Sequence, residues 1–203
     1  MLHRETVSPS TLDLLRSLSE HPALSAFNLC GGTSLALRFG HRLSVDLDFF
    51  TINDFDNQAL SQSLTADFDF AEKRRGETGI AGFINDVRLD FVKYRYPLLC
   101  SPEVIEGIRF ISLPDVIAMK LSAVTNRGAK KDFYDLQMLI EKFGIPALLE
   151  HYQAKFPRTE VFMLVRSLTH FDDAEGKEDP ISLIGLSWED VKDTIQKAVK
   201  AML

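Results

Sequence analysis

Residues 29–50 read LCGGTSLALRFGHRLSVDLDFF, and the fold turns on how this stretch divides. A glycine pair, Gly31-Gly32, is followed by two hydroxyl residues, Thr33 and Ser34. An apolar run with helical spacing comes next, then Asp46 and Asp48 inside a hydrophobic segment. AFNLC, leading into the glycines, reads as a short strand. TSLALRFG reads as a helix with Thr33 or Ser34 near its N-cap. SVDLDFFT, with β-branched and aromatic residues, reads as a strand over Ser44–Thr51. Strand alternation then puts Val45, Leu47 and Phe49 on one face and Asp46 and Asp48 on the other. Two carboxylates so placed repel each other unless something positive lies between them. Mg²⁺ suits that position, because it prefers hard oxygen ligands and keeps coordination sites for water or substrate phosphates. The plainer alternative is the polar outer face of an amphipathic strand.

Working outward, VRLDFVKY (87–94) has the same alternation, with Val87, Leu89 and Phe91 on one face and Arg88, Asp90 and Val92 on the other. If this strand neighbours the first, Asp90 joins Asp46 and Asp48. Three carboxylates around two metals serve in-line phosphoryl or nucleotidyl transfer, and one can take a proton from the attacking hydroxyl. An ion pair with Arg88 or Lys93 is the alternative for Asp90. At Gly31, Gly32, Thr33 and Ser34 a strand gives way to a helix. Glycines there admit a phosphate and free N–H groups attract it, although a tight turn plus a helix cap also accounts for the motif.

Lys120 lies on the apolar side of a helix opened by Pro114, beside Val116, Ile117 and Val124. A lysine so placed must snorkel out or meet an anion, either a triphosphate or an acidic residue. RGAKKDFYDL follows, with Arg127, Lys131, Asp132 and Asp135. Asp132 and Asp135 share a helix edge, with first-turn acids and an i, i+4 pair as the plain reading. Lys73-Arg74-Arg75 reads as a solvated strand end or as a contact to a polynucleotide. The five histidines show no metal-ligand spacing and receive no role.

The 203 residues are 45% hydrophobic and 26% charged, in line with one large or two small globular domains. A net charge of −6 speaks against a general nucleic-acid coat while leaving room for a local basic patch. Two cysteines far apart fit a reducing cytosol better than a disulfide framework. No signal-peptide core and no membrane-length apolar run are evident, so a cytoplasmic protein is expected. Strand patterns dominate from Asp69 to Ser112, with a hairpin expected at Asn85-Asp86. Helical patterns dominate after Leu113, interrupted by an acidic loop, DDAEGKEDP. The expected class is α+β: a mixed-sheet half over residues 1–112, then an all-helical half over 113–203 that completes an active-site cleft.

The spacing of Gly32-Thr33 from Asp46-Leu47-Asp48 resembles the signature of polymerase-β-like nucleotidyltransferases. Taken with DVIAMKLSAVTNRGAKKDFYDL, the stretch from Leu29 to Ile140 is similar to the AbiEii/AbiGii group of nucleotidyltransferase toxins. That resemblance implies Mg²⁺ on Asp46 and Asp48, and the strand pattern adds Asp90, which would bind a second metal or take the proton. It implies an NTP held near Gly31, Gly32, Thr33 and Ser34. Lys120, Arg127, Lys131, Asp132 and Asp135 would take supporting roles. It further implies an RNA or tRNA 3′ end as one acceptor and a cognate antitoxin encoded nearby. Two other readings stand beside it: an inactive nucleotide- or partner-binding module of this fold, and a phosphatase using the Asp-x-Asp pair.

Overall fold

The computed structural model describes residues 1–202; Leu203, the last residue of the expected final helix, lies outside them. The chain divides into two compact units. One comprises Met1–Phe39 and Ser44–Ser112, and the other Gly40–Leu43 and the chain from Leu113 onward. Four residues from the middle of the opening stretch thus belong to the helical unit.

The first unit contains α1 (Pro9–Glu20), β1 (Asn28–Cys30), α2 (Gly31–Phe39), β2 (Leu47–Thr51), α3 (Asn57–Phe68), β3 (Ala71–Gly76), β4 (Gly79–Ile84), β5 (Val87–Lys93), β6 (Glu103–Ile105) and β7 (Ile108–Phe110). The helix starts follow the sequence. Ser8 caps α1 by accepting from the Thr11 amide, with Pro9 in the first turn. Asp56 caps α3 through the amides of Gln58 and Ala59. Among the described residues the strands form one mixed sheet, ordered β3-β4-β5-β2-β1-β7-β6. The central strands β2 and β5 run parallel, and β1 and β7 also pair in parallel. The remaining pairings are antiparallel.

Alternation decides which face is core. Leu47 and Phe49 of β2 are buried beside Leu89 and Phe91 of β5, and the Phe49 and Phe91 rings stack at 5.4 Å. The leucines of α1 and α3 cover this face, with Leu15, Leu18 and Leu64 fully buried. The β4–β5 hairpin turns at Asn85-Asp86 as expected, Asn85 adopting a left-handed φ of 51°. The β6–β7 hairpin was not anticipated. It turns on Glu106 and Gly107, both at positive φ, as a type I′ turn requires.

Two details of the opening stretch differ from expectation. The strand begins at Leu47, so Asp46 precedes it, and Val45 is 69% exposed and shares no buried face with Leu47. The helix begins at Gly31, so Thr33 and Ser34 lie inside its first turn and are buried.

The second unit contains α4 (Leu113–Asn126), α5 (Lys130–Lys155), α6 (Val161–Leu168), α7 (Asp172–Glu175) and α8 (Trp188–Met202). α5 bends at Gly144, whose φ of 74° and ψ of 150° are non-helical, and Pro146 follows. Trp188 packs against Phe133, Tyr134 and Phe171. The segment read as an acidic loop instead contains α7 and is tied down. Glu175 accepts from the Trp188 indole and from Lys192, and Asp179 pairs with the buried Lys130 at 2.8 Å. The segment Gly40–Leu43 joins this unit by pairing with residues 181–183, through Leu43 N–H to Ile181 O and Leu183 N–H to His41 O. No helix among the described residues is long and apolar enough to cross a membrane.

Candidate active site

β1 runs directly into α2, and Gly31 at the junction has a φ of 67°. Only glycine adopts this conformation without strain. A Cβ at Gly31 would also collide with Oδ2 of Asp48. The glycine therefore lets the Asp48 carboxylate sit against the first turn of α2, where unpaired amides and the helix dipole favour negative charge. Thr33 donates its hydroxyl to the carbonyl of Asp46, so the Ser44 hydroxyl, 2.8 Å away, is the donor to Thr33. Thr33 thus fixes the backbone of the acidic pair. The Ser34 hydroxyl is fully buried with no hydrogen-bond partner among the described residues.

Asp48 stands in register with Asp90 across the parallel β2–β5 pair, so both carboxylates leave the same face of the sheet, opposite the core. The row continues through Ala81 to Arg74 on one side and to Cys30 on the other. Arg74 reaches across the small Ala81 to Asp90 at 3.3 Å, and Arg88 binds its other oxygen at 3.0 Å. Asp46 is half-buried just ahead of the strand.

Among the described residues, no three or more His, Cys, Asp or Glu side chains cluster closely enough to hold a metal by themselves. The residues present nevertheless fit Mg²⁺ in kind. Asp46 and Asp48 offer hard oxygens, and the missing Cβ of Gly31 leaves room for the Asp48 carboxylate. An ion so bound leaves positions to water and phosphate.

The other residues singled out in the sequence gather within the helical unit. Lys120 of α4 is 5% exposed and pairs with Asp132 at 2.8 Å and Asp135 at 2.7 Å, both on α5 and both fully buried. Arg127 forks onto Asp132 at 2.8 and 2.9 Å. Arg42 forks onto Asp135 at 2.7 and 2.9 Å, and His41 contacts the same carboxylate at 2.7 Å. Lys131 is exposed. The inward lysine therefore meets acidic residues. His41, given no role from the sequence, is 3% exposed and bound to Asp135. The adjacent polar pair His41-Arg42, directly after Gly40, was the available signal.

Burial opposes the ionised form of both aspartates. For Asp135 the charges of Arg42 and Lys120 and the hydrogen bond to His41 outweigh it, holding the carboxyl well below 3.8. Burial likewise opposes ionisation of Asp132, and Lys120 and Arg127 pull it lower. Burial would lower Lys120, but the two carboxylates raise it above 10.5.

A mixed sheet with a Gly-helix junction against an in-register acidic pair, followed by a helical region, defines the nucleotidyltransferase fold. Solved structures share it at low identity. JHP933 from Helicobacter pylori superposes with a TM-score of 0.61 at 19% identity, covering 97% of this chain and 93% of that one. The antibiotic-resistance factor ANT(2'')-Ia superposes at 0.55 and 16% identity, covering 72% and 92%. A protein of Aquifex aeolicus (strain VF5), aq_aa25, is 34% identical over 183 residues, spanning 87% of this chain and 88% of that protein. The profile of the nucleotidyl transferase AbiEii toxin family, type IV toxin–antitoxin system, matches residues 13–104 and 81–201. The chain belongs to the AbiEii family.

Proposed function

We propose that this protein is an Mg²⁺-dependent nucleotidyltransferase that moves an NMP from an NTP to the 3′ hydroxyl of an RNA, as the toxin partner of an antitoxin encoded nearby. One observation carries the reading: Asp48 and Asp90 are side by side on one sheet face, with Asp48 seated against the glycine start of α2. Asp46 and Asp48 would hold the metal, which when bound supplies charge stabilisation at the phosphates and acidifies the acceptor hydroxyl. The first-turn amides of α2, released by Gly31 and Gly32, donate to phosphate oxygens. Asp90 faces the acceptor hydroxyl and takes its proton as the new O–P bond forms and pyrophosphate departs. Thr33 holds the Asp46 backbone in place. Lys120, Asp132 and Asp135 act as positioning residues through the buried network that anchors Arg42, four positions before Asp46. Abundant NTP and RNA, and two cysteines outside any disulfide, suit a cytoplasmic setting.

The test is incubation of the protein with each α-labelled NTP, Mg²⁺ and total cellular RNA, beside Asp48→Ala. The expected outcome is label in RNA with one or more NTPs and at least about a hundredfold less with the variant, the scale of losing a principal charge-stabilising group. Equal labelling by the variant, or none by the wild type, refutes the reading. Induced expression should arrest bacterial growth for the wild type and not for Asp48→Ala.

A further inference from the structure

The sheet face that carries Asp48 and Asp90 carries more than carboxylates. Along β5 its residues are Arg88, Asp90 and Val92, and Tyr94 continues the ladder by donating its amide to Thr51 O. Phe83 stands across from Arg88 and is 37% exposed. Phe50 stands across from Val92. The Phe50 ring lies 5.7 Å from Tyr94, and Tyr94 lies 5.6 Å from Tyr96, which is 49% exposed. Arg74 and Arg88 flank Asp90 with side chains 74% and 52% exposed. From Arg88 to Tyr94 the strand spans about 20 Å at ~3.3 Å per residue.

Aromatic rings and guanidinium groups together on one exposed sheet face are what single-stranded nucleic acid requires. Every base has a π-face to stack, and every phosphate needs a cation. The protein as a whole carries a charge of −6 and would repel RNA. Any RNA site must therefore be local and basic, and these exposed arginines border the carboxylate pair. We propose that this face is the track on which the single-stranded 3′ end of the RNA acceptor lies. Arg74 and Arg88 take its phosphates, and Phe50, Tyr94 and Tyr96 stack its bases. The ion pairs of Asp90 with Arg74 and Arg88 are then the RNA-free arrangement, and the arriving phosphates compete for the guanidinium groups. The proposal rests on the nucleotidyl-transfer reading for the identity of the acceptor, while binding itself requires neither NTP nor metal.

The test is fluorescence anisotropy with a 5′-labelled single-stranded RNA of about a dozen nucleotides, within the ~4–16 that such grooves accommodate, without NTP or Mg²⁺, over a salt series. R74A/R88A should weaken binding and reduce the log–log salt slope by about 1.4, at ~0.7 per phosphate contact. Tyr96→Ala should weaken binding at least about fivefold with the slope unchanged, and Tyr96→Phe should retain wild-type affinity, because a ring is what stacks. These surface variants should keep the wild-type circular dichroism spectrum and melting temperature. The track is refuted if the wild type does not bind the oligonucleotide, if it binds duplex RNA equally well, or if R74A/R88A and Tyr96→Ala bind like the wild type. The two readings fail separately. RNA binding without nucleotide transfer removes the reaction and keeps the track, whereas transfer to another acceptor without RNA binding does the reverse.

Discussion

Asp135 accepts from Arg42, Lys120 and His41 with no exposure to solvent, and its contribution is best judged by what its removal leaves behind. Asp135→Asn removes the carboxylate that Arg42 and Lys120 share and leaves Lys120 with Asp132, a loss of about 3–5 kcal/mol. For a chain of this size that is roughly 6–20 °C in melting temperature, measurable by calorimetry. The pH dependence follows from the direction of the shifts. Asp132 and Asp135 are depressed below 3.8 in the folded state, so their stabilisation is complete above that value and is lost as pH falls through the folded values. Lys120 is raised above 10.5, so its share is complete below that value and is lost only as pH rises past the folded value. Melting temperature should therefore fall steeply below about pH 4 in the wild type, and Asp135→Asn should flatten that limb. At Gly31 the consequence is functional. Gly31→Ala adds a methyl where Asp48 Oδ2 sits, at a φ of 67°. It should displace the carboxylate and reduce nucleotide transfer by at least about a hundredfold, while costing only about 1–2 kcal/mol of stability. A transfer assay beside a thermal melt separates the two effects.

Among the elements, α5 shows how a local conflict is resolved. Gly144-Ile145-Pro146 interrupts the helical pattern, because proline lacks an amide and crowds the preceding turn. The chain bends at Gly144, in a region of φ/ψ space open essentially to glycine alone. A Cβ there would meet only Pro146 Cδ, at 3.7 Å, so Gly144→Ala tests backbone strain with little steric clash. It should lower stability by about 1–3 kcal/mol in urea titration with an unchanged m-value. α2 illustrates a different effect. Its hydroxyl residues were expected at the cap, but the tight turn at Gly31 starts the helix early and draws Thr33 inward to Asp46. β6 was missed because three residues carry too little alternation to register, although Glu106-Gly107 between Ile105 and Ile108 is a turn signal. α7 was hidden by its acidic composition. Its Glu175 is matched by Lys192, and Asp179 just after the helix by Lys130, both distant in sequence.

For the molecule as a whole, ligand linkage gives a test that does not depend on knowing the acceptor. A ligand that binds only the folded protein at about a hundred times its Kd adds about 2.7 kcal/mol, or roughly 5–10 °C for this length. The correct NTP with Mg²⁺ should raise the wild-type melting temperature by that amount, and Asp48→Ala should lose most of the rise. The sequence alone determined the class of fold, the order of its major elements and the acidic pair. Period-two and period-3.6 patterning, glycine turns and caps are local properties, legible wherever a segment is long enough to repeat. The placement of Asp90 beside Asp48 needed the sheet, because β2 and β5 are joined by register and lie forty residues apart in the chain. The partners of Lys120 and Asp135 were equally out of reach. A buried charge announces that it needs a counter-charge without naming it, and only the folding of Gly40–Leu43 into the helical unit brings His41 and Arg42 to Asp135. Patterning is written residue by residue, whereas pairing is decided by which distant segments share a register and an interior.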